Sequence, residues 1–282
     1  MRVLDGIAEL AERYDGFILD LWGVVHDGRR IYPGVAEALG ALKARGKRVA
    51  FLSNAPRRSH VVEAQLAGMG LDRALYDGTI TSGELAWRRL GDGAFGGRAV
   101  FIGMPDRDLS VIEGRDVTLV DDPAGADFIL NTGPTPERGR DTVAPYRAGL
   151  EACAVRGLPM LCVNPDRYVM VGEDRVVCAG ALADLYRELG GPAAVEIGKP
   201  DPAVYPPVMN VLGIGDTTRV VAIGDSPHTD LAGAQAAGID AVWALTGLAA
   251  HAHGAAPEPE RLAEAATAEG VRPVAALRGL RW

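Results

Sequence analysis

Over its first third the chain alternates short apolar runs with amphipathic stretches, a pattern that predicts strand, crossover helix and parallel strand. Phe17-Ile18-Leu19 is an unbroken apolar run that stops at Asp20, as expected of a strand covered on both faces. Pro33 to Arg45 predicts a helix: Pro suits the first turn, apolar residues recur at helical spacing, and Gly46 follows Lys43 and Arg45 as a stop. Arg48 to Leu52 predicts the next strand. Arg57 to Ala67 predicts a second helix, entered through Ser53-Asn54-Ala55-Pro56.

Between about Thr81 and Cys178 the pattern starts again. Ala99-Val100-Phe101-Ile102, Val117-Thr118-Leu119-Val120, Phe128-Ile129-Leu130 and Met160-Leu161-Cys162-Val163 are candidate strands, which reads as an inserted α/β module. The first pattern then resumes: a helix over Ala181 to Leu189, a strand over Ala194 to Ile197, a helix over Pro202 to Leu212, and a strand from Arg219 to Ile223 ending in Gly224-Asp225. A helix from Asp230 to Ala237, a strand from Ala241 to Leu245 and a helix from Pro259 to Ala268 follow, with Gly254 to Pro259 as the linker-like stretch. Two domains are expected in these 282 residues: residues 1–80 and 181–282 as two parts of a core, and residues 81–180 as the insertion.

Composition adds constraints on partners. Hydrophobic residues make up 48% of the chain and aromatics 6%, the usage of an ordinary α/β protein. Lys plus Arg number 29 against 37 Asp plus Glu, and the net charge of −8 comes without any basic run, so nucleic acid is not expected as a partner. Cys153, Cys162 and Cys178 form no C-x-x-C pair, which signals neither a disulfide framework nor a zinc site and points to a reducing cytoplasm. Glu9, Glu12 and Arg13 interrupt the N-terminal region, and the longest uncharged stretch, Ala241 to Pro257, is short and broken by Gly, His and Pro. No export signal or membrane span is expected.

Ligands of parallel α/β sheets bind beyond the carboxyl ends of the strands. Four such ends carry polar groups here: Asp20-Leu21-Trp22-Gly23-Val24, Ser53-Asn54-Ala55-Pro56, Gly198-Lys199-Pro200, and Gly224-Asp225-Ser226-Pro227-His228-Thr229-Asp230. Each alone has an ordinary reading as a turn, a helix cap or a surface lysine. Together they supply what phosphoryl transfer needs: a carboxylate nucleophile, carboxylates for a hard divalent cation, a lysine, and small donors for phosphoryl oxygens.

In that order and spacing the four segments resemble the motifs of the haloacid dehalogenase superfamily. With the insertion between the second and third motifs, and with Gly23-Val24 to Gly28, Asn164-Pro165-Asp166 and Gly224-Asp225 through Gly238, the chain is similar to subfamily IIA. The resemblance implies an α/β fold with a Rossmann-like parallel-sheet core and an inserted α/β cap of the C2 type. It implies Asp20 as a nucleophile that forms an aspartyl-phosphate, and Mg²⁺ held by Asp20, the Trp22 backbone carbonyl and Asp225. Ser53 and Asn54 would bind the phosphoryl group, Lys199 would neutralise charge on it and on Asp20, and Asp230 would steady the metal waters or Lys199. The expected partner is a small phosphorylated metabolite, with sugar phosphates as a first guess from the subfamily, and a homodimer through the cap.

One position departs from that pattern. Phosphatases of the superfamily carry a second Asp two residues after the nucleophile as general acid and base, and here the residue is Trp22, whose indole can do neither. A substitute could come from His26, Asp27, His228 or the cap, with His26 ranked first. A leaving group that needs no proton is a second solution. A third is a protein that binds its phosphorylated ligand with little or no turnover. Trp22 itself is expected to pack the loop, Arg57 and Arg58 to be solvated or to face an anionic substrate, and Asn164 and Asp166 to form a turn or touch the leaving group.

Overall fold

The computed structural model describes residues 1–171, 174–254 and 257–282; residues 255–256 of the linker-like stretch therefore lie outside the described residues. Two compact units emerge, one of Met1–Ser53, Glu63–Ile80 and Lys199–Trp282, the other of Asn54–Val62 and Thr81–Gly198.

The first unit is built on a seven-stranded sheet ordered Val3–Leu4, Ala275–Leu277, Asp240–Ala244, Val220–Gly224, Gly16–Leu19, Arg48–Ser53 and Gly78–Thr81. Gly16–Leu19 is an interior strand, parallel to Val220–Gly224 on one side and Arg48–Ser53 on the other. Phe17, Ile18 and Leu19 are all buried, which is why the run shows no polar alternation. In register, Leu19 faces Ile223 and Phe51, so the residues that follow these three strands leave the sheet side by side. Helix Val35–Ala44 buries Val35, Ala38, Leu39 and Leu42, the helical spacing visible in the sequence.

The second unit holds a five-stranded parallel sheet ordered Val195–Glu196, Met160–Cys162, Phe128–Asn131, Arg98–Ile102 and Thr118–Leu119. An antiparallel pair, Tyr168–Val171 with Asp174–Val177, accompanies it. One core cluster joins Ile129, Leu150, Met160, Leu182, Leu185 and Tyr186; another joins Ala86, Leu90, Phe95, Phe128, Leu130 and Leu161.

Several boundaries differ from the sequence expectation. The return to the first unit comes at Lys199, not near 181, because Leu182, Leu185 and Tyr186 pack into the second unit's own core and Val195–Glu196 pairs with Met160–Cys162. Residues 54–62 also belong to the second unit. Pro202 to Leu212 begins as a 3-10 turn before helix Tyr205–Leu212, and a wide turn, Pro227–Leu231, precedes helix Ala232–Ala236. The edge strand Val3–Leu4 and its neighbour Ala275–Leu277 are too short to show a period. No described helix is long and apolar enough to cross a membrane, and the three cysteines are free and buried.

Candidate active site

Asp20 follows strand Gly16–Leu19, and its backbone N–H still donates to Ile223 O at 2.9 Å, the last rung of the ladder. That rung sets the carboxylate beside the end of strand Val220–Gly224, from which Asp225 emerges. Lys199 Nζ donates to Asp20 Oδ1 at 2.7 Å, to Asp230 Oδ1 at 2.6 Å and to the Leu52 carbonyl at 2.9 Å. All three ammonium protons thus have acceptors, as a lysine only 3% exposed requires. Burial pulls the Lys199 ammonium down, and the Asp20 and Asp230 carboxylates outweigh it, so the residue stays protonated above the ordinary lysine range.

Asp230 is fully engaged, since its Oδ2 accepts the Ser226 N–H at 3.1 Å while Oδ1 holds Lys199. Gly224 leaves the room it needs, because a Cβ there would stand 2.1 Å from Asp230 Cγ. Asp225 is packed differently. Its Oδ2 accepts the Leu248 N–H at 2.7 Å, and its carbonyl accepts the Trp243 indole N–H at 3.1 Å. Burial first, and then the Asp20 and Asp230 charges, push the Asp225 carboxyl well above the usual range. Oxygens of Asp20, Asp225 and Asp230 all come within 4.8 Å of one another, with one lysine to balance three carboxylates. An all-oxygen donor set with this surplus of negative charge fits a hard divalent cation.

Ser53 closes strand Arg48–Ser53 and is buried. Within the second unit, Asn54 Nδ2 donates to Asp166 Oδ1 at 2.9 Å, and Asn54 Oδ1 accepts the Ser82 hydroxyl at 3.4 Å. Gly198 lies so close that a Cβ would stand 2.5 Å from Asn54 Oδ1, which accounts for glycine immediately before Lys199.

Residues 17–118 match a family model described as haloacid dehalogenase-like hydrolase, and residues 196–268 match one described as HAD-hydrolase-like. A crystal structure of a haloacid dehalogenase-like hydrolase from Brucella suis 1330 is 31% identical, with a TM-score of 0.83 over 98% of this chain and 99% of that one. The chain belongs to the haloacid dehalogenase-like hydrolases. Human chronophin is 27% identical over 251 residues, 86% of this chain and 84% of that protein. D-glycerol 3-phosphate phosphatase of Mycobacterium tuberculosis is 25% identical over 242 residues, 85% of this chain and 65% of that protein. The protein is thus an enzyme, a hydrolase of the phosphatase kind.

In this haloacid dehalogenase-like hydrolase the loop after Asp20 is closed on itself. Gly23 N–H donates to His26 O at 2.9 Å. The Trp22 ring meets His26 edge-on at 5.4 Å and covers Gly28 so closely that a Cβ there would stand 2.3 Å from the indole. Packing of the loop is what the Trp22 side chain does within the first unit. His26 is buried, and its Nδ1 accepts the Gly28 N–H at 3.0 Å, so the neutral ring carries its proton on Nε2. Asp27 caps the same turn, accepting the Arg29 and Arg30 N–H groups at 2.9 Å each.

His228 is not gathered into the carboxylate cluster: it is largely exposed, with Nδ1 3.1 Å from Glu269. Asn164 Oδ1 accepts the Asp166 N–H at 3.0 Å, an Asx turn, and Asp166 in turn holds Asn54. Arg58 stacks 3.8 Å over Trp87 and pairs with Glu84, whereas Arg57 is half-buried, its guanidinium pushed down to about 10 by desolvation and then by Arg107. Sequence reasoning did not single out Leu52, Trp243, Thr246, Gly247 or Leu248. Leu52, Trp243 and Leu248 contribute backbone or indole groups to the charged cluster, and only the position of 246–248 just after a strand could have flagged that turn.

Proposed function

We propose that this enzyme hydrolyses a small phosphate monoester or anhydride through an aspartyl-phosphate on Asp20, with Mg²⁺ as cofactor. The observation that carries the reading is the Asp20–Lys199–Asp230 chain beside a buried Asp225 that is short of positive charge. Mg²⁺ would be held by Asp20, the Trp22 carbonyl and Asp225, and when bound it supplies charge neutralisation for the incoming phosphoryl group.

In this account one Asp20 oxygen attacks phosphorus, the bond to the leaving oxygen breaks, and the acyl phosphate forms. Lys199, its three protons oriented by Asp20, Asp230 and Leu52 O, is a preorganised positive charge that need not reorganise as negative charge moves onto the equatorial oxygens. Ser53 and Asn54 supply donors to those oxygens. Water then cleaves the acyl phosphate and regenerates Asp20. Asn164 and Asp166 stay candidates for leaving-group contacts. A small substrate is supported by relatives such as the D-glycerol 3-phosphate phosphatase.

Trp22 shapes the leaving-group preference. With no carboxylic acid at that position, aryl and acyl phosphates, whose leaving groups depart without a proton, should turn over faster than alkyl esters. The same observation favours a second reading, in which the phosphoenzyme forms and stalls, leaving a binding protein with very slow turnover. Phosphate release with Mg²⁺ across sugar, nucleotide, aryl and acyl phosphates, with Asp20→Asn as control, decides between them. Steady release, lost by a factor on the order of 10³ or more in Asp20→Asn, supports the hydrolase. A single burst supports the stalled phosphoenzyme, and silence with intact ligand binding rejects catalysis.

A further inference from the structure

The turn Thr246-Gly247-Leu248 touches both loops that carry the proposed metal ligands. Strand Asp240–Ala244 runs beside Val220–Gly224, with Trp243 opposite Gly224, so the segments after the two strands are neighbours. Leu248 N–H donates to Asp225 Oδ2 at 2.7 Å. The Thr246 hydroxyl donates to the Gly23 carbonyl in a short hydrogen bond. Gly247, with φ +53°, fits between the two: a Cβ there would stand 2.0 Å from Asp225 Oδ2 and 2.6 Å from Gly23 Cα. Gly23, with φ +86°, closes the other side, because its own Cβ would stand 2.1 Å from Asp225 Oδ2. The Asp225 carboxylate is therefore clamped between two backbones that have no side chains at the contact.

We infer that Thr246 is a positioning residue for the cation: its hydroxyl ties the Asp20–Gly23 loop to the turn that orients Asp225, and so fixes the spacing between ligands drawn from two separate strands. The inference rests on the reading of Asp20, the Trp22 carbonyl and Asp225 as metal ligands. Strand Gly16–Leu19 fixes Asp20 through its ladder, whereas Gly23 lies three residues beyond the last rung. A carbonyl one residue before Gly23 is the ligand most sensitive to this tether.

The test is Mg²⁺ titration calorimetry on the full chain, paired with phosphate release as a function of Mg²⁺, for wild type, Thr246→Val and Thr246→Ser. Loss of one hydrogen bond at the tether should weaken Mg²⁺ binding roughly five- to tenfold in Thr246→Val. kcat at saturating Mg²⁺ should stay near wild type, and Thr246→Ser, which keeps the hydroxyl, should bind Mg²⁺ like wild type. Unchanged Mg²⁺ affinity in Thr246→Val, or a serine variant as weak as the valine one, overturns the inference. If wild type binds Mg²⁺ but releases no phosphate, the hydrolase reading fails alone and the calorimetric contrast still decides the role of Thr246. If wild type binds no Mg²⁺, both fall.

Discussion

At the carboxyl ends of the seven-stranded sheet stand Asp20, Asp225 and, on the turn that follows, Asp230, with Lys199 reaching in; at those of the five-stranded sheet stand Asn131, Thr132 and Asn164. The two sheets share parallel strands, apolar interiors and polar ends, and they differ in how charge at those ends is balanced: Glu196 pairs with Arg167 and Asp108 with Arg107 in the second unit, whereas three carboxylates gather around one lysine in the first. Asn131 is fully buried and neutral, its Nδ2 donating to Ala179 O at 2.9 Å while its Oδ1 has no hydrogen-bond partner among the described residues. The Thr132 hydroxyl has two acceptors, Asp108 Oδ2 at 3.1 Å and Ile102 O at 3.2 Å, and Asn164 makes a local turn. Neutral amides can be buried at little cost once bonded, whereas carboxylates cannot be gathered without a cation. The architecture alone therefore does not mark the proposed reactive end; the unbalanced charge is what distinguishes it.

Exchanging the two kinds of strand end should break the contrast most clearly. Asp225→Asn is expected to abolish phosphate release while raising the melting temperature of the metal-free protein at neutral pH. The sign follows from burial and the neighbouring charges, which hold the Asp225 carboxyl far above its ordinary value. Between its unfolded and folded pKa the native state binds more protons than the unfolded one, so metal-free stability falls as pH climbs from about 4 through that window. The variant should flatten this slope, and added Mg²⁺ should no longer raise its melting temperature; a wild-type-like slope would refute the assignment.

The reverse exchange, Asn131→Asp, has nearly the same shape but places a carboxylate against the Ala179 carbonyl with no lysine beside it. A loss of about 3 kcal/mol or more is expected in denaturant unfolding at neutral pH. A near-wild-type midpoint would show that the second sheet tolerates charge after all. His228→Ala should do least. Its contact with Glu269 is surface-exposed, so stability should move by less than about 0.5 kcal/mol and kcat/KM should hold; a large fall in rate would return His228 to the chemistry.

Much of this contrast was written in the sequence. Phe17-Ile18-Leu19 before Asp20 and Val220-Val221-Ala222-Ile223 before Gly224-Asp225 read as buried strands ending in carboxylates because continuous apolar runs followed by acid are unusual, and both strands lie in the first unit's sheet. The return point near 181 was misplaced because Leu182, Leu185 and Tyr186 display a helical face without saying which core receives it. Strands Val3–Leu4 and Ala275–Leu277 are set by their neighbours rather than by any period of their own. The Thr246–Leu248 turn escaped notice because backbone N–H groups and glycine spacing leave no side-chain signature.

Order of synthesis gives the sheet connectivity another meaning. Every strand of the five-stranded sheet lies between Arg98 and Glu196, so that sheet can close as soon as its own segment has emerged. Gly16–Leu19, made long before, must wait for Val220–Gly224 before its second flank is covered, and Val3–Leu4 waits for Ala275–Leu277. Contacts so distant along the chain form late. The nascent polypeptide thus carries Asp20 with neither Lys199 nor Asp225 present, and the proposed reactive centre can come into being only after residues 199–230 have left the ribosome.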